Sequence, residues 1–313
     1  MVASSSVCPD EARAVNTNAN AAMPLQRDAA GIGLVLLSGL GVVFLPTTAK
    51  LAYLDGSNVF TVAFARGVIA IVLLALVAMA LRLSLRMPRR LLRSSLVAGA
   101  GQACFVYGVY ASIETINISL ALLILYLYPI VLALHQHLLG VVRVRPVQWL
   151  CALTTCAGFA LILGVGFEQI SLAGIALALM AMIATVIITL TNVTVTATLG
   201  SLVSNFYMSL WSLIIFLLAL IAVGPLQLPQ SGVGWAALSG NGIAYCIAWV
   251  SFFAGARILG ATRASMLTLV EPPAAALAAW LLFGEFYTPL QWLGFFVVLA
   301  ALYGFERLAR ANA

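Results

Sequence analysis

Stretches of about 20 apolar residues, separated by short loops, recur along nearly the whole chain. Each is long enough to cross the ~30 Å hydrocarbon core of a bilayer as an α-helix. Hydrophobic residues make up 64% of the 313 positions and charged residues only 8%, whereas about a quarter of the residues in soluble domains are charged. The sequence therefore predicts an all-α membrane protein that crosses the bilayer many times.

The apolar stretches divide the chain into ten predicted transmembrane helices, and the loops between them are too short to hold a soluble domain. Residues 1–28 are polar and rich in Ala, Asn and Ser, which predicts a short, mobile cytoplasmic tail. Residues 309–313 form a second short cytoplasmic tail. The predicted spans are 29–49, 57–81, 93–112, 117–139, 146–165, 171–196, 200–223, 232–254, 262–283 and 289–308.

An internal repeat relates the two halves of the chain. The segment Pro146-Val-Gln-Trp-Leu returns as Pro289-Leu-Gln-Trp-Leu, and 289 minus 146 gives an offset of 143 residues. The same offset carries Pro129 onto Pro272. Each repeat, 29–165 and 171–308, holds five spans, an odd number, so the second must enter the membrane in the opposite sense. Inverted repeats of this kind surround the central site of many secondary transporters.

The charged residues predict the orientation of the spans. If the N-terminal tail is cytoplasmic, the arginine-rich loops all lie on the cytoplasmic side, as the positive-inside rule requires. These arginines are Arg82, Arg86, Arg89, Arg90, Arg93, Arg143, Arg145, Arg257, Arg263, Arg307 and Arg310. The opposite loops carry Asp55, Glu114, Glu168 and Glu285, with Lys50 as their only basic residue. The net charge of +6 is thus a topology signal rather than a nucleic-acid footprint.

Motifs of catalysis and metal binding are missing from the sequence. Lys50 is the only lysine, so there is no P-loop, and neither an H-E-x-x-H nor a G-x-S-x-G motif occurs. Cys151 and Cys156 have no nearby His or third thiol to complete a metal site. We therefore expect a protein that is not an enzyme and that holds no metal or other cofactor.

Arg66 lies well inside the second predicted span. A charged side chain at that depth is costly, so it should face protein or water and have a partner. It could anchor the carboxylate of a substrate, or it could be a structural cation held by helix-end carbonyls or by a glutamate. Both interpretations stay open.

Glu271 is the only acidic residue well inside a predicted span, and Pro272 and Pro273 follow it. Prolines remove backbone donors and bend a helix. The carboxylate could cap backbone groups that this kink frees, or it could couple transport to protons. The structural role is favoured, because the repeat offset places Tyr128 at the equivalent position, and a tyrosine could not play the coupling part.

Polar and aromatic stripes on two predicted spans indicate a shared central cavity. The sixth span carries Thr185, Thr189, Asn192 and Thr196 on one face, and the eighth carries Asn241, Tyr245, Trp249 and Phe252. Gln102 is the counterpart of Tyr245 in the first repeat. Membrane hydroxyls often bond their own helix and aromatic residues often sit at the interface. The buried amides are harder to explain that way, because each has four hydrogen-bonding positions to satisfy.

The layout of two five-span repeats resembles the drug/metabolite transporter superfamily, in its EamA-type branch. The most specific resemblance is the run from Gly260 through Glu271-Pro272 to Gly284-Glu285, which is similar to the second-half signature of that family. Arg66 stands where the family typically has an arginine in its second span. The first repeat departs from the pattern, because Val141-Val142 replaces Gly-Glu after the fourth span, and this puts a symmetrical role of Glu285 in doubt.

The resemblance implies a secondary exporter of small metabolites with a central cavity in a bacterial inner membrane. We expect its substrates to be amino acids, including aromatic ones, because similar exporters carry them and because Tyr245 and Trp249 could stack on a planar ligand. Exporters of drugs or other metabolites share the same fold, and a passive channel or a membrane-embedded enzyme is a weaker alternative. We expect a small-molecule substrate and membrane lipid as partners, no nucleic acid, and a monomer in preference to a dimer.

Overall fold

The computed structural model describes residues 9–113, 115–116, 118–164, 171–223, 226–274, 277 and 288–310. Every secondary-structure element in these ranges is a helix. Several features predicted from sequence lie outside the described residues: the start of the N-terminal tail, Glu114, Glu168, the end of the ninth span with Gly284 and Glu285, and residues 311–313.

The helices follow the chain in a simple order. In the described ranges they are α1 (Pro9–Leu54), α2 (Val59–Ala80), α3 (Arg89–Ile113), α4 (Ile118–Leu125), α5 (Tyr128–Leu138), α6 (Pro146–Leu163), α7 (Leu172–Leu199), α8 (Ser201–Val223), α9 (Gly232–Leu259), α10 (Ala261–Leu267), a 3-10 turn (Thr268–Val270) and α11 (Pro289–Arg310).

Eight helical segments of the described chain are long and apolar enough to cross a membrane, which confirms the prediction of a polytopic helical membrane protein. They are Gln26–Leu54, Val59–Ala80, Ser119–Leu138, Pro146–Leu163, Leu172–Leu199, Ser201–Ile221, Gly232–Leu259 and Pro289–Leu308. The predicted span 93–112 lies within α3, whose arginines and small polar residues lower its hydropathy. The predicted span 262–283 begins with α10 and continues outside the described residues. The count of ten stays a prediction.

The first helix begins earlier than predicted, at Pro9 rather than at residue 29. The segment 9–28 was expected to be a mobile tail because of its polarity. Polarity does not oppose a helix, however, and this segment contains five alanines, the best helix formers. Pro9 also fits the first turn, where its missing N–H costs no hydrogen bond.

Two helices are interrupted at positions that the repeat offset relates. The predicted span 117–139 is not one helix, because α4 ends at Leu125 and α5 begins at Tyr128. Pro129 explains the break, since it lacks an N–H and its ring clashes with the carbonyl of Leu125. In the second repeat α10 gives way to the 3-10 turn shortly before Pro272. The offset of 143 residues carries Tyr126–Leu127 onto Leu269–Val270.

Close helix contacts rely on glycine. A Cβ on Gly41 of α1 would lie 2.8 Å from both the carbonyl oxygen of Ala244 and the nitrogen of Ala248 in α9. A Cβ on Gly294 of α11 would lie 2.7 Å from the carbonyl oxygen of Gly158 in α6. Small residues let membrane helices pack backbone to backbone, where van der Waals contact drives association. The same packing joins α1 to α9, α3 to α7, and α6 to α11 along their lengths.

Polar contacts join the helices at the two ends of the molecule. At one end the Arg263 guanidinium bonds Asp28 at 2.9 Å and also pairs with Glu306, so it joins α1, α10 and α11. At the other end the Asp55 carboxylate accepts a 2.8 Å hydrogen bond from the Ser231 N–H ahead of α9. That bond is the main reason why the pKa of Asp55 lies below its usual value. Arg263 and Asp55 were predicted on opposite sides of the membrane, and they lie at opposite ends of the molecule.

The α1–α9 contact gives a direct test of the packing. We expect Gly41→Ala to destabilise the protein by about 1–3 kcal/mol, because the added methyl meets backbone atoms that have no room to move. Gly33→Ala on the same helix is the matched control, since a Cβ there would meet nothing within 4 Å. Thermal unfolding of the purified protein in detergent measures both variants. Equal melting temperatures would contradict the close contact.

Candidate functional site

A cavity of about 110 Å³ lies among helices of both predicted repeats. Its wall is mostly apolar and aromatic, with a few hydroxyl groups and one carboxyl group. The lining residues are Ser38, Val42, Leu45, Phe105, Leu125, Tyr126, Tyr128, Thr185, Thr189, Ala248, Trp249, Phe252, Thr268 and Glu271. An apolar wall with a few polar groups is typical of small-molecule sites.

Both interrupted helices bring residues to this cavity. Tyr126 in the turn between α4 and α5 donates a 3.2 Å hydrogen bond to Oε2 of Glu271, which follows the 3-10 turn. The hydroxyl groups of Tyr128 and Thr268 are 2.6 Å apart. Glu271 is only 6% exposed. A break in each helix therefore places the polar groups of one cavity wall.

The same two helices form a polar seam between the predicted repeats. Besides Tyr126–Glu271 and Tyr128–Thr268, the Thr262 hydroxyl bonds the side-chain carbonyl of Gln136. The residue numbers fall along one helix as they rise along the other, so α5 and α10 run antiparallel. We call these three side-chain pairs the polar seam. In this seam the partner of the Glu271 carboxylate is the Tyr126 hydroxyl. From the sequence, the structural partners considered were backbone groups that the proline kink frees.

The threonines of α7 line the cavity but bond their own helix. The Thr185 hydroxyl donates to the carbonyl of Ala181 at 2.9 Å, and that of Thr189 to the carbonyl of Thr185 at 2.8 Å. Such bonds satisfy the hydroxyl hydrogen while leaving an oxygen lone pair toward the cavity. Thr196 lies further along the helix, where it bonds Ser204 of α8 at 2.7 Å. It does not belong to the lining.

Trp249 is the aromatic centre of the wall. Its ring lies 5.9 Å from that of Phe105 in an edge-to-face arrangement and stacks on Phe253 at 5.6 Å. Tyr245, one turn earlier on α9, lies 6.3 Å from Trp249 and is not part of the lining. Aromatic pairs at these distances hold one another in fixed orientations. The cavity thus has a rigid flat surface on the α9 side.

Arg66 lies behind this aromatic surface. Its guanidinium sits over the Tyr245 ring, 4.8 Å from the ring centre, and the Tyr245 hydroxyl lies 3.2 Å from the Ser209 hydroxyl. Arg66 is 5% exposed, and among the described residues no carboxylate forms an ion pair with it. A cation–π contact offsets part of the cost of burying the charge.

The buried amides fall into two groups. Asn241 donates to the carbonyl of Leu45 and to the Thr48 hydroxyl, both at 2.9 Å, so its amino group joins α9 to α1. Gln102 and Asn192 are 1% and 0% exposed, and in the described part of the chain neither their oxygen nor their nitrogen has a hydrogen-bond partner. Buried polar atoms are nearly always bonded, so these two side chains require an explanation beyond packing.

The structure brings together only part of the predicted set. Thr189, Trp249 and Glu271 meet in one cavity, whereas Arg66, Gln102, Asn192, Asn241 and Tyr245 lie outside its lining. Sequence reasoning missed Tyr126 and Thr268 as wall residues and treated Tyr128 only as the counterpart of Glu271. The repeat offset could have identified these wall residues. It matches Pro129 with Pro272, and the residues that precede these prolines lie at the two helix breaks.

Comparison with known proteins agrees with a transporter architecture in the second half of the chain. Residues 172–306 match the EamA-like transporter family. These bounds nearly coincide with those of the predicted second repeat, 171–308. No curated protein matches the chain significantly in sequence.

Solved structures share the overall fold. Twenty-nine chains among the solved structures match this protein. One of them is described as a "crystal structure of protein". It superposes with a TM-score of 0.75 over 91% of this chain and 99% of its own length, at 18% sequence identity. The likeness therefore extends over both predicted repeats.

Asn192 gives a test of whether a buried amide serves binding. We expect Asn192→Leu to leave the free energy of unfolding within about 1 kcal/mol of its original value, because removing an unpartnered polar group costs little. Transport should weaken about tenfold if the amide bonds substrate, since one such bond is worth about 1.4 kcal/mol. Thr194→Val is the control, because the Thr194 hydroxyl is exposed and bonds its own helix. Unchanged transport affinity in Asn192→Leu would assign the amide to packing.

Proposed function

We propose that the protein is a secondary transporter that exports small metabolites, with amino acids including aromatic ones as its main substrates, across a bacterial inner membrane by alternating access. The cavity carries this proposal. It is bounded by residues of both predicted repeats and reached by both interrupted helices. Broken helices of this kind form the substrate sites of many secondary transporters. The match of residues 172–306 to a transporter family supports the same function.

Two further observations support ten helices in inverted repeats. The packing of α1 against α9 has a counterpart in that of α7 against α3, which is the exchange expected when the first and third helices of each repeat are related by a twofold axis. The helix breaks at Tyr126–Leu127 and Leu269–Val270 are also related by the repeat offset. An odd number of spans per repeat then gives the inverted arrangement found in many alternating-access transporters.

The cavity wall favours a planar apolar substrate. Trp249, Phe105 and Phe252 supply flat apolar surface, whereas Glu271 and the hydroxyl groups of Tyr126 and Thr268 supply polar contacts at one side. An aromatic amino acid has a ring for the first surface and an ammonium group for the second. Its carboxylate requires a cation, and we propose Arg66, which has no carboxylate partner among the described residues, for that part. Reaching it requires a rearrangement of Tyr245.

The second candidate is an exporter of lipophilic cations, such as drugs or toxic compounds. The same observation supports it, because an aromatic wall with a single carboxyl group suits a cation without a carboxylate. A sugar nucleotide fits less well, since its two phosphates need several cations and no arginine or lysine is among the residues of the lining. The contribution of Arg66 separates the first two candidates.

A substrate screen tests the proposal. We expect purified protein in lipid vesicles to show saturable counterflow of labelled phenylalanine, tyrosine or tryptophan. Unlabelled phenylalanine should compete, and phenethylamine, which lacks the carboxylate, should compete weakly. Arg66→Gln should weaken competition by phenylalanine about 10- to 100-fold, because hydrogen bonds to a charged group are worth about 1.5–3 kcal/mol. Strong competition by phenethylamine, unaffected by Arg66→Gln, would favour the export of lipophilic cations.

The aromatic wall has its own matched pair of variants. We expect Trp249→Ala to lower the affinity for the aromatic substrate about fivefold, because stacking on an aromatic ring is worth about 1 kcal/mol beyond the buried area. Trp235→Ala, on the same helix but 50% exposed, should leave transport unchanged. Counterflow of the labelled amino acid measures both. Equal effects of the two substitutions would show that Trp249 does not face the substrate.

A further inference from the structure

The cavity contains one ionisable carboxyl group, that of Glu271, and its surroundings are unusual for a charge. We propose that Glu271 is the proton-binding group of the transport cycle and that its hydrogen bond with Tyr126 links the bound proton to the contact between the two repeats. This inference rests on the proposed function, because it assigns the coupling ion of the same transporter. Each step follows from the groups that face the carboxyl group.

The described groups around Glu271 offer hydrogen bonds but no positive charge. The turn after α4 contributes Tyr126, α5 contributes Tyr128, and the 3-10 turn contributes Thr268. From α1, Ser38 lines the same cavity, and a Cβ added to Gly39 would lie 3.1 Å from Cγ of Glu271. From α7, Thr185 and Thr189 face the cavity, and α3 and α9 contribute Phe105, Ala248, Trp249 and Phe252.

The charged groups of the described chain lie elsewhere. Arg66 sits on α2 over Tyr245, outside the cavity lining, and Arg263 pairs with Asp28 and Glu306 at one end of the molecule. Among the described residues, an ionised Glu271 carboxylate therefore has no neighbouring counter-charge. Burying such a charge in the membrane costs free energy, and binding a proton or a cation removes much of that cost. A purely structural position would be served as well by glutamine.

The carboxyl group has one bonded and one available oxygen. Oε2 accepts the hydrogen bond from Tyr126, and among the described residues no hydrogen bond involves Oε1. A proton from the external solution can bind Oε1 without breaking the bond to Tyr126, and the neutral acid then has no charge to bury. When the same proton leaves to the cytoplasm, the carboxylate returns. The cycle moves one proton inward for each substrate molecule moved outward.

The state of this proton changes the strength of the polar seam. A hydrogen bond to an ionised oxygen is roughly twice as strong as one to a neutral oxygen. Release of the proton therefore strengthens the contact between Tyr126 of the first repeat and Glu271 of the second, and binding weakens it. A ligand shifts a two-state equilibrium when it binds the two states differently. The proton meets that condition, because the strength of the seam depends on it.

The experiment uses the full-length protein in vesicles and the aromatic amino acid that gives the largest counterflow. Two assays are run on each variant: counterflow without a pH gradient, and accumulation driven by a pH gradient with a trapped pH indicator. Wild-type protein should accumulate substrate at the expense of the gradient. Glu271→Gln, which keeps an acceptor for Tyr126, should weaken counterflow because it loses a contact with the substrate ammonium group. The counterflow that remains should be independent of pH, and gradient-driven accumulation should be lost. Asp55→Asn, a carboxylate change outside the cavity, should leave both assays unchanged.

Tyr126→Phe keeps the inference testable if Glu271→Gln does not fold. It removes the hydrogen bond that links the proton to the contact between the repeats but keeps the carboxyl group, so gradient-driven accumulation should fall while its half-maximal pH moves upward. An unchanged pH profile in Tyr126→Phe, or gradient-driven accumulation by Glu271→Gln, would overturn the inference. So would wild-type protein that shows counterflow but no response to the gradient, and the proposed function would then still stand. Absence of counterflow in wild-type protein would overturn the proposed function itself.

Discussion

Pro129 and Pro272 lack the backbone N–H that a continuous helix needs, and the rest of the site depends on this constraint. An unbroken pair of helices would present a smooth apolar surface to its neighbours. The breaks ahead of the two prolines instead turn Tyr126, Tyr128 and Glu271 toward one cavity. The hydrogen bonds Tyr126–Glu271 and Tyr128–Thr268 show that the two breaks face each other. A helix break ahead of a proline, present once in each predicted repeat, thus creates the polar wall of the cavity.

Close packing elsewhere gives these breaks a rigid frame. Gly41 lets α1 approach α9 at backbone distance, and Gly158 and Gly294 do the same for α6 and α11. In a membrane no hydrophobic force pulls helices together, so such contacts supply much of the association energy. Polar contacts at the ends, through Arg263 and Asp55, add fixed points. At the polar seam, side-chain hydrogen bonds join the two predicted repeats in addition to packing.

Much of the fold could be predicted from the sequence because membrane helices are local features. Length and hydropathy place most spans within a few residues, and the repeat follows from an identity of spacing. The early start of α1 was missed because polarity was taken as a sign of disorder, although its alanines favour a helix. The break at Tyr126–Leu127 was also missed, since hydropathy continues across it. Pro129 was the available signal.

The site was less predictable because side-chain partners are set by long-range packing. A stripe of polar residues on a helix does not show whether each group faces a cavity or a neighbour, and Asn241 turned toward α1 while Thr189 lined the cavity. The partnership of Tyr126 with Glu271 joins residues 145 positions apart. No local sequence pattern predicts such a pair. Only the repeat offset, applied residue by residue around the prolines, pointed to that place.

Alternating access through this cavity is the central claim, and its most direct test is the accessibility of one wall position from each side of the membrane. Thr185→Cys in a background without the native cysteines places a thiol at the cavity. In oriented vesicles, an impermeant thiol reagent should label it from either side, and substrate or a pH gradient should raise labelling from one side while lowering it from the other. Labelling from one side only under every condition, or from both sides without any reciprocal change, would contradict the account.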